Sequence, residues 1–193
     1  MAYSSKHDVI FIHIPKNAGT SVIESLELYP HGHHEKSQFY KLKTMHKTAK
    51  SFAIVRNPWD RMVSIYNYLK MSKSYWHSGD NTTKYGLTPD HCIVHNHCNH
   101  FKDFIRMFDQ RKFTGPHFLP QTHWLPMKDI DHILFFEKDI RQQIHDVLGI
   151  QLSKLITLNK SISCDYRTYY DEESKNIVYK HYKSDIDLFG YTF

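Results

Sequence analysis

Cysteine is scarce in this chain: there are three, Cys92, Cys98 and Cys164. So few, and odd in number, they do not make a disulfide framework, which agrees with a reducing compartment. No stretch of about eighteen consecutive apolar residues occurs, and the N-terminal MAYSSKHDVI lacks the basic-then-apolar order of a secretory signal. Neither a transmembrane segment nor a leader is expected. Internal repeats and low-complexity tracts are missing as well. What is left is a 193-residue chain, 40% hydrophobic, long enough to bury one core. A single domain is expected, with a variable insertion near 71–100. The formal charge is +5 and sixteen histidines can add to it below neutral pH, so an anionic ligand is favoured over a cationic one.

The hydrophobic pattern alternates between strands and helices. Residues 8–14, 51–56 and 133–136 are short, nearly continuous apolar runs, as expected of strands covered on both faces. Ser21 to Glu24 fits a capping box, with Val22, Ile23 and Leu26 as the apolar stripe of a first helix. Pro58 suits the first position of a second helix, and Met62, Ile65, Tyr66 and Leu69 follow at helical spacing. Residues 75–100 are polar and aromatic without a clear period, and FKDFIRMF resumes a helix. Ile140, Ile144, Val147 and Leu148 form another stripe, closed by Gly149. Asp171-Glu172-Glu173 opens a last helix, with Lys180 and Lys183 at its far end. Strands joined by crossover helices imply an α/β fold with a central parallel sheet and helices on both sides.

In such sheets ligands bind beyond the carboxyl ends of the strands, and the first strand-to-helix turn is the usual anion site. Here that turn lies in FIHIPKNAGTSV, residues 11–22. Gly19 lets a backbone approach a ligand, the first helix amides are unpaired, Lys16 adds a charge, and Thr20 and Ser21 add hydroxyls. A phosphate or sulfate fits this chemistry. The plain alternative is an ordinary tight turn, which uses the same residue types. A Walker loop is excluded, because its lysine follows a second glycine and here lysine precedes the only one. The second unit, IVRNPWDRMVSIYNYL, puts Arg56 at a strand end and Ser64 two turns into the next helix. Arginine forks onto phosphate oxygens and serine can add a bond, so two anion sites on one sheet edge suggest a ligand phosphorylated at both ends.

HIPKNAGTS, RNPWDRMVSIY, FLPQTHWL, ILFFEKD and the tail from Tyr166 to Phe193 stand in one order along the chain. Together they resemble the type-2 glycan sulfotransferase family, which includes heparan sulfate 2-O-sulfotransferase. The match is weakest between residues 71 and 100. The resemblance implies a P-loop-NTPase-like three-layer fold and transfer of a sulfuryl group from 3′-phosphoadenosine 5′-phosphosulfate (PAPS) to a hydroxyl, leaving adenosine 3′,5′-bisphosphate. It implies that Lys16, Asn17, Ala18, Gly19, Thr20 and Ser21 hold the 5′-phosphosulfate and that Arg56 and Ser64 hold the 3′-phosphate. Tyr166 and Arg167 are candidates to close over the adenosine. Asn17 stands where threonine is common in the family. The implied acceptor is a glycan, and the lack of the family's usual membrane anchor suggests a cytoplasmic enzyme.

The chemistry needs a base for the acceptor hydroxyl, and histidine suits that at neutral pH. The family carries it in the region of PHGHHEKSQF, residues 30–39. Aligning a His-Gly-His pair selects His33, whereas aligning the helix that follows selects His34. Lys16 is the candidate cation for charge developing on the leaving phosphate oxygen. The crowded His91, Cys92, His95, His97, Cys98 and His100 match no common zinc spacing, so no metal is expected, and Cys98 is read as packed beneath the helix that begins near Phe101. Two other classes remain. A kinase-like phosphotransferase should present carboxylates for Mg²⁺, and only Glu137 stands near a strand end. A nucleic-acid-binding module should gather its cations on one face, whereas these lysines are scattered.

Overall fold

The computed structural model describes residues 1–30, 36–74, 77–80, 82–83, 85–152, 154 and 165–193. In chain order the elements are β1 (Ala2–Ser4), β2 (Val9–Ile12), α1 (Gly19–Ser25), β3 (Tyr29–Pro30), α2 (Lys36–Met45), β4 (Lys50–Val55), α3 (Pro58–Lys70), α4 (Pro89–His97), α5 (Phe101–Asp109), α6 (Gln121–Trp124), β5 (His132–Phe135), α7 (Ile140–Leu148), α8 (Glu172–His181) and α9 (Lys183–Phe189). Two 3₁₀ turns, Pro116–Phe118 and Tyr166–Tyr169, complete them. The fold class is α/β, as the sequence implies. The residues group into two compact units, Met1–Arg56 with Pro120–Leu158, and Asn57–Leu119 with Asn159–Phe193.

The first unit contains the whole sheet, in the order β3-β1-β2-β4-β5. β2, β4 and β5 are parallel neighbours. Their runs VIFI and SFAIV are buried on both faces, so a polar face is not required of them. On one face Val9, Phe11, Phe52, Ile54 and Leu134 pack with Val22 and Leu26 of α1 and Ile140 and Ile144 of α7. α2 packs on β2 with Phe39 and Leu42 buried and outside that cluster, which puts it on the other face. The sheet is mostly, not wholly, parallel: β1 runs antiparallel to both β2 and β3. These two short strands, β1 and the edge strand β3, were not expected, since neither is long enough to show a period of two.

Asp131, just before β5, ties three elements together. Its carboxylate accepts from the Ser51 amide and hydroxyl, each at 2.7 Å, and from Lys43 of α2 at 2.8 Å. Burial alone would raise its pKa from 3.8, but Lys43 and the two Ser51 donors outweigh it and hold it at about 2. A carboxyl lowered in the folded state stabilises above its unfolded pKa, and that contribution is lost as the pH falls through the folded value. Urea midpoints should therefore separate wild type from Asp131→Asn most widely above pH 4. The gap should close toward pH 2. A gap independent of pH would show that the carboxylate charge is not what stabilises.

The second unit is helical, with α3 packed on α4, α5 and α8. Its core joins Met62, Ile65, Tyr66 and Leu69 of α3 to Phe101, Phe104 and Ile105 of α5 and Val178 of α8. Pro58 opens α3 as expected, and Asn57 caps it by accepting from the Trp59 amide at 3.0 Å. Arg61 is only 1% exposed, a cost met by donating to the carbonyls of Leu119 and His117 at 3.0 and 2.9 Å. Residues 89–97, expected to be irregular, form α4. Gly149 closes α7 in the left-handed conformation, as the sequence suggests. The last expected helix is two: α8 ends at His181 with Tyr182 between the helices, so Lys183 begins α9 rather than ending α8.

Candidate functional site

The chain leaves β2 through α1 toward β3, on one side of the sheet order, and leaves β4 toward β5, on the other, so β2 and β4 are adjacent parallel strands whose onward connections diverge. Their carboxyl ends form a topological switch point, where open α/β sheets bind ligands. The turn 15–18 emerges from β2 at this point. Lys16 and Ala18 both have positive φ, 72° and 61°. Residues of positive φ in such a turn aim successive amides to one side, the geometry of an anion-binding nest.

The turn also starts α1 earlier than expected. Gly19 is its first residue, Ala18 stands at the N-cap and no side chain caps it. Ser21 is thus buried inside the first turn, and the capping box read over Ser21 and Glu24 does not form. Gly19 is needed for a reason the sequence did not show. A methyl on its α-carbon would lie 1.9 Å from Cδ2 and 2.1 Å from Nε2 of His13. The glycine makes room for an imidazole of its own loop.

Arg56 follows the last residue of β4, one strand from the turn, and is 9% exposed. Its Nη1 donates to the Lys16 carbonyl at 3.0 Å, and its Cζ stands 4.1 Å from the ring centroid of Phe136. The guanidinium is held in place from two directions. Asn17, 1% exposed, uses its side-chain amide on the protein: Nδ2 donates to the Ile54 carbonyl at 2.8 Å and to Gln121 Oε1 at 2.6 Å. Gln121 Oε1 also accepts from the Arg56 amide at 2.9 Å, and its Nε2 donates to the Arg56 carbonyl at 2.8 Å. Gln121 and Phe136 thus support the site. Both fall inside FLPQTHWL and ILFFEKD, but nothing local to those motifs assigns them a partner.

Lys16 to Ser21 and Arg56 are therefore brought together in the first unit. Ser64, buried in α3, and Tyr166 and Arg167 belong to the second. There Asn57 Nδ2 donates to the Tyr166 hydroxyl at 3.3 Å and to the Thr192 carbonyl at 2.9 Å, and the Arg167 guanidinium lies 4.6 Å from the Tyr166 ring centroid. His33 and His34 lie outside the described residues.

The sequence model of the sulfotransferase family matches residues 1–192. The chain belongs to that family. No curated protein and no solved structure matches it. The reaction class of a sulfotransferase is sulfuryl transfer to a hydroxyl-bearing acceptor, and the mostly parallel sheet flanked by helices is consistent with its P-loop-like fold. Among the described residues no helix of this sulfotransferase is long and apolar enough to cross a membrane. Among the same residues no three His, Cys, Asp or Glu side chains are placed to hold a metal. Cys98 is buried with its Sγ 3.6 Å from Met107 Sδ of α5, as expected, and burial first, then Asp103, pushes its thiol up to about 11.

Proposed function

We propose that this sulfotransferase takes PAPS as donor and a carbohydrate hydroxyl as acceptor. The observation that carries the reading is the contact of two cationic elements at one switch point, the Arg56 guanidinium on the carbonyl of Lys16. An anionic ligand with two charged ends suits them. The amides of 16–21 and the Lys16 ammonium would hold the 5′-phosphosulfate, and Arg56 the 3′-phosphate. Ser64 is assigned to the 3′-phosphate, and Tyr166 and Arg167 to the adenosine, from the motifs they match. Bound there, the donor supplies a sulfur whose bond to the phosphate oxygen breaks as the acceptor oxygen bonds to it. A histidine, His34 or failing it His33, takes the acceptor proton. Lys16 balances the charge left on the phosphate oxygen.

Adenosine 3′,5′-bisphosphate at about 100 times its Kd should raise the thermal midpoint by roughly 5–10 °C. ATP with Mg²⁺ should not. An equal rise with ATP would overturn the donor assignment in favour of a phosphotransferase. Mass spectrometry across a panel of glycans should then find a gain of about 80 Da, one sulfuryl group, on the true acceptor. Alanine at the base should abolish that gain and leave the thermal rise intact, whereas loss of both would make that histidine structural.

A further inference from the structure

Hydrogen bonds converge on the Gln121 side chain from segments far apart in sequence. It is fully buried at the head of α6, a helix of four residues. One oxygen serves two donors, the side chain of Asn17 at the floor of the turn and the main chain of Arg56. One amide nitrogen returns to the Arg56 carbonyl. Gln121 and Arg56 thus exchange a pair of bonds of the kind two strands exchange, so the glutamine side chain adds one rung beyond the carboxyl end of β4. Asn17 then hangs the turn on that rung. The two anion-gripping parts are fixed to each other here as well as through the Arg56 bond to Lys16.

We propose that Gln121 is a positioning residue that couples the turn at Lys16 to Arg56, so that the two charged ends of the donor are bound as one event. This rests on the reading of the donor given above. Without Gln121 the turn and Arg56 keep their own chemistry but lose their common registration. The signature is a loss of cooperation between the two phosphates, more than a loss of either. Burial of unpaired Arg56 main-chain groups adds a stability cost, which is a separate quantity.

The experiment measures the affinities of adenosine 3′,5′-bisphosphate and of 5′-AMP by calorimetry for wild type, Gln121→Met and Gln121→Glu. Wild type should prefer the bisphosphate; failure to do so would defeat the donor reading itself, and this proposal with it. In Gln121→Met the bisphosphate should weaken by about ten-fold or more and 5′-AMP by less than about three-fold. Gln121→Glu keeps the acceptor and loses the donor, and should show the same inequality at smaller size. It decides the matter if the methionine variant does not fold. Equal losses for the two nucleotides, or none, with wild-type preference intact, would overturn the coupling and leave the donor reading standing.

Discussion

Replacing Lys16 with methionine is expected to lower kcat for sulfuryl transfer by about 10² to 10³-fold, the loss usual when one preorganised group facing a developing oxyanion is removed. The substitution is chosen with the backbone in mind. Lys16 sits at φ 72°, which costs a residue with a Cβ about 1–2 kcal/mol. Methionine bears the same strain and nearly the same length, so folding should change little and the lost ammonium should account for the effect. Adenosine 3′,5′-bisphosphate lacks the sulfuryl group, so its affinity should fall by about ten-fold or less, which splits a transition-state contribution from ground-state binding. Lys16→Gly is the control. Glycine relieves the strain, its freer unfolded chain returns part of that gain, and the thermal midpoint should stay close to wild type while activity stays low. A methionine variant with kcat within about three-fold of wild type would remove Lys16 from the leaving oxygen.

How far the sequence shows this site depends on how local each interaction is. β2, β4 and β5 are legible because strands buried on both faces must be continuous apolar runs, and Lys16 and Arg56 follow from their place at the ends of two of them. α4 is hidden because two of its three buried residues are polar: Asp90 accepts from the amides of Thr114 and Gly115, His91 pairs with Thr88, and Val94 alone is too little to mark an apolar stripe. The turn after β2 is legible in composition but not in geometry. Its glycine reads as a place for a ligand and turns out to face His13. Asn17 reads as a cradle residue, yet its side chain is a tether to β4 and α6. Gln121 lies 104 residues from Asn17 and 65 from Arg56, and only the assembled fold brings the three together.

Gly19→Ala should be among the most damaging single-methyl changes in the first unit. The φ of Gly19 is not positive, so its backbone would accept alanine; the obstacle is the ring of His13. Because the added carbon would also lie 2.8 Å from His13 Cγ, rotating the ring about its own axis does not clear it. Either the whole imidazole swings away from Phe11, on which it now stacks at 6.0 Å, or the turn moves. Overpacking of this kind costs about 1–3 kcal/mol, a fall of roughly 2–12 °C in a chain of this size. Moving the turn also displaces its amides, so affinity for adenosine 3′,5′-bisphosphate should fall with stability. The sign of the effect is the sharper test. In a His13→Ala background the space is open, and alanine is the better helix former, by about 1 kcal/mol in a helix interior and less at a first position such as this, so the same change should become neutral or stabilising. Equal destabilisation in both backgrounds would mean that something other than the imidazole reserves the glycine.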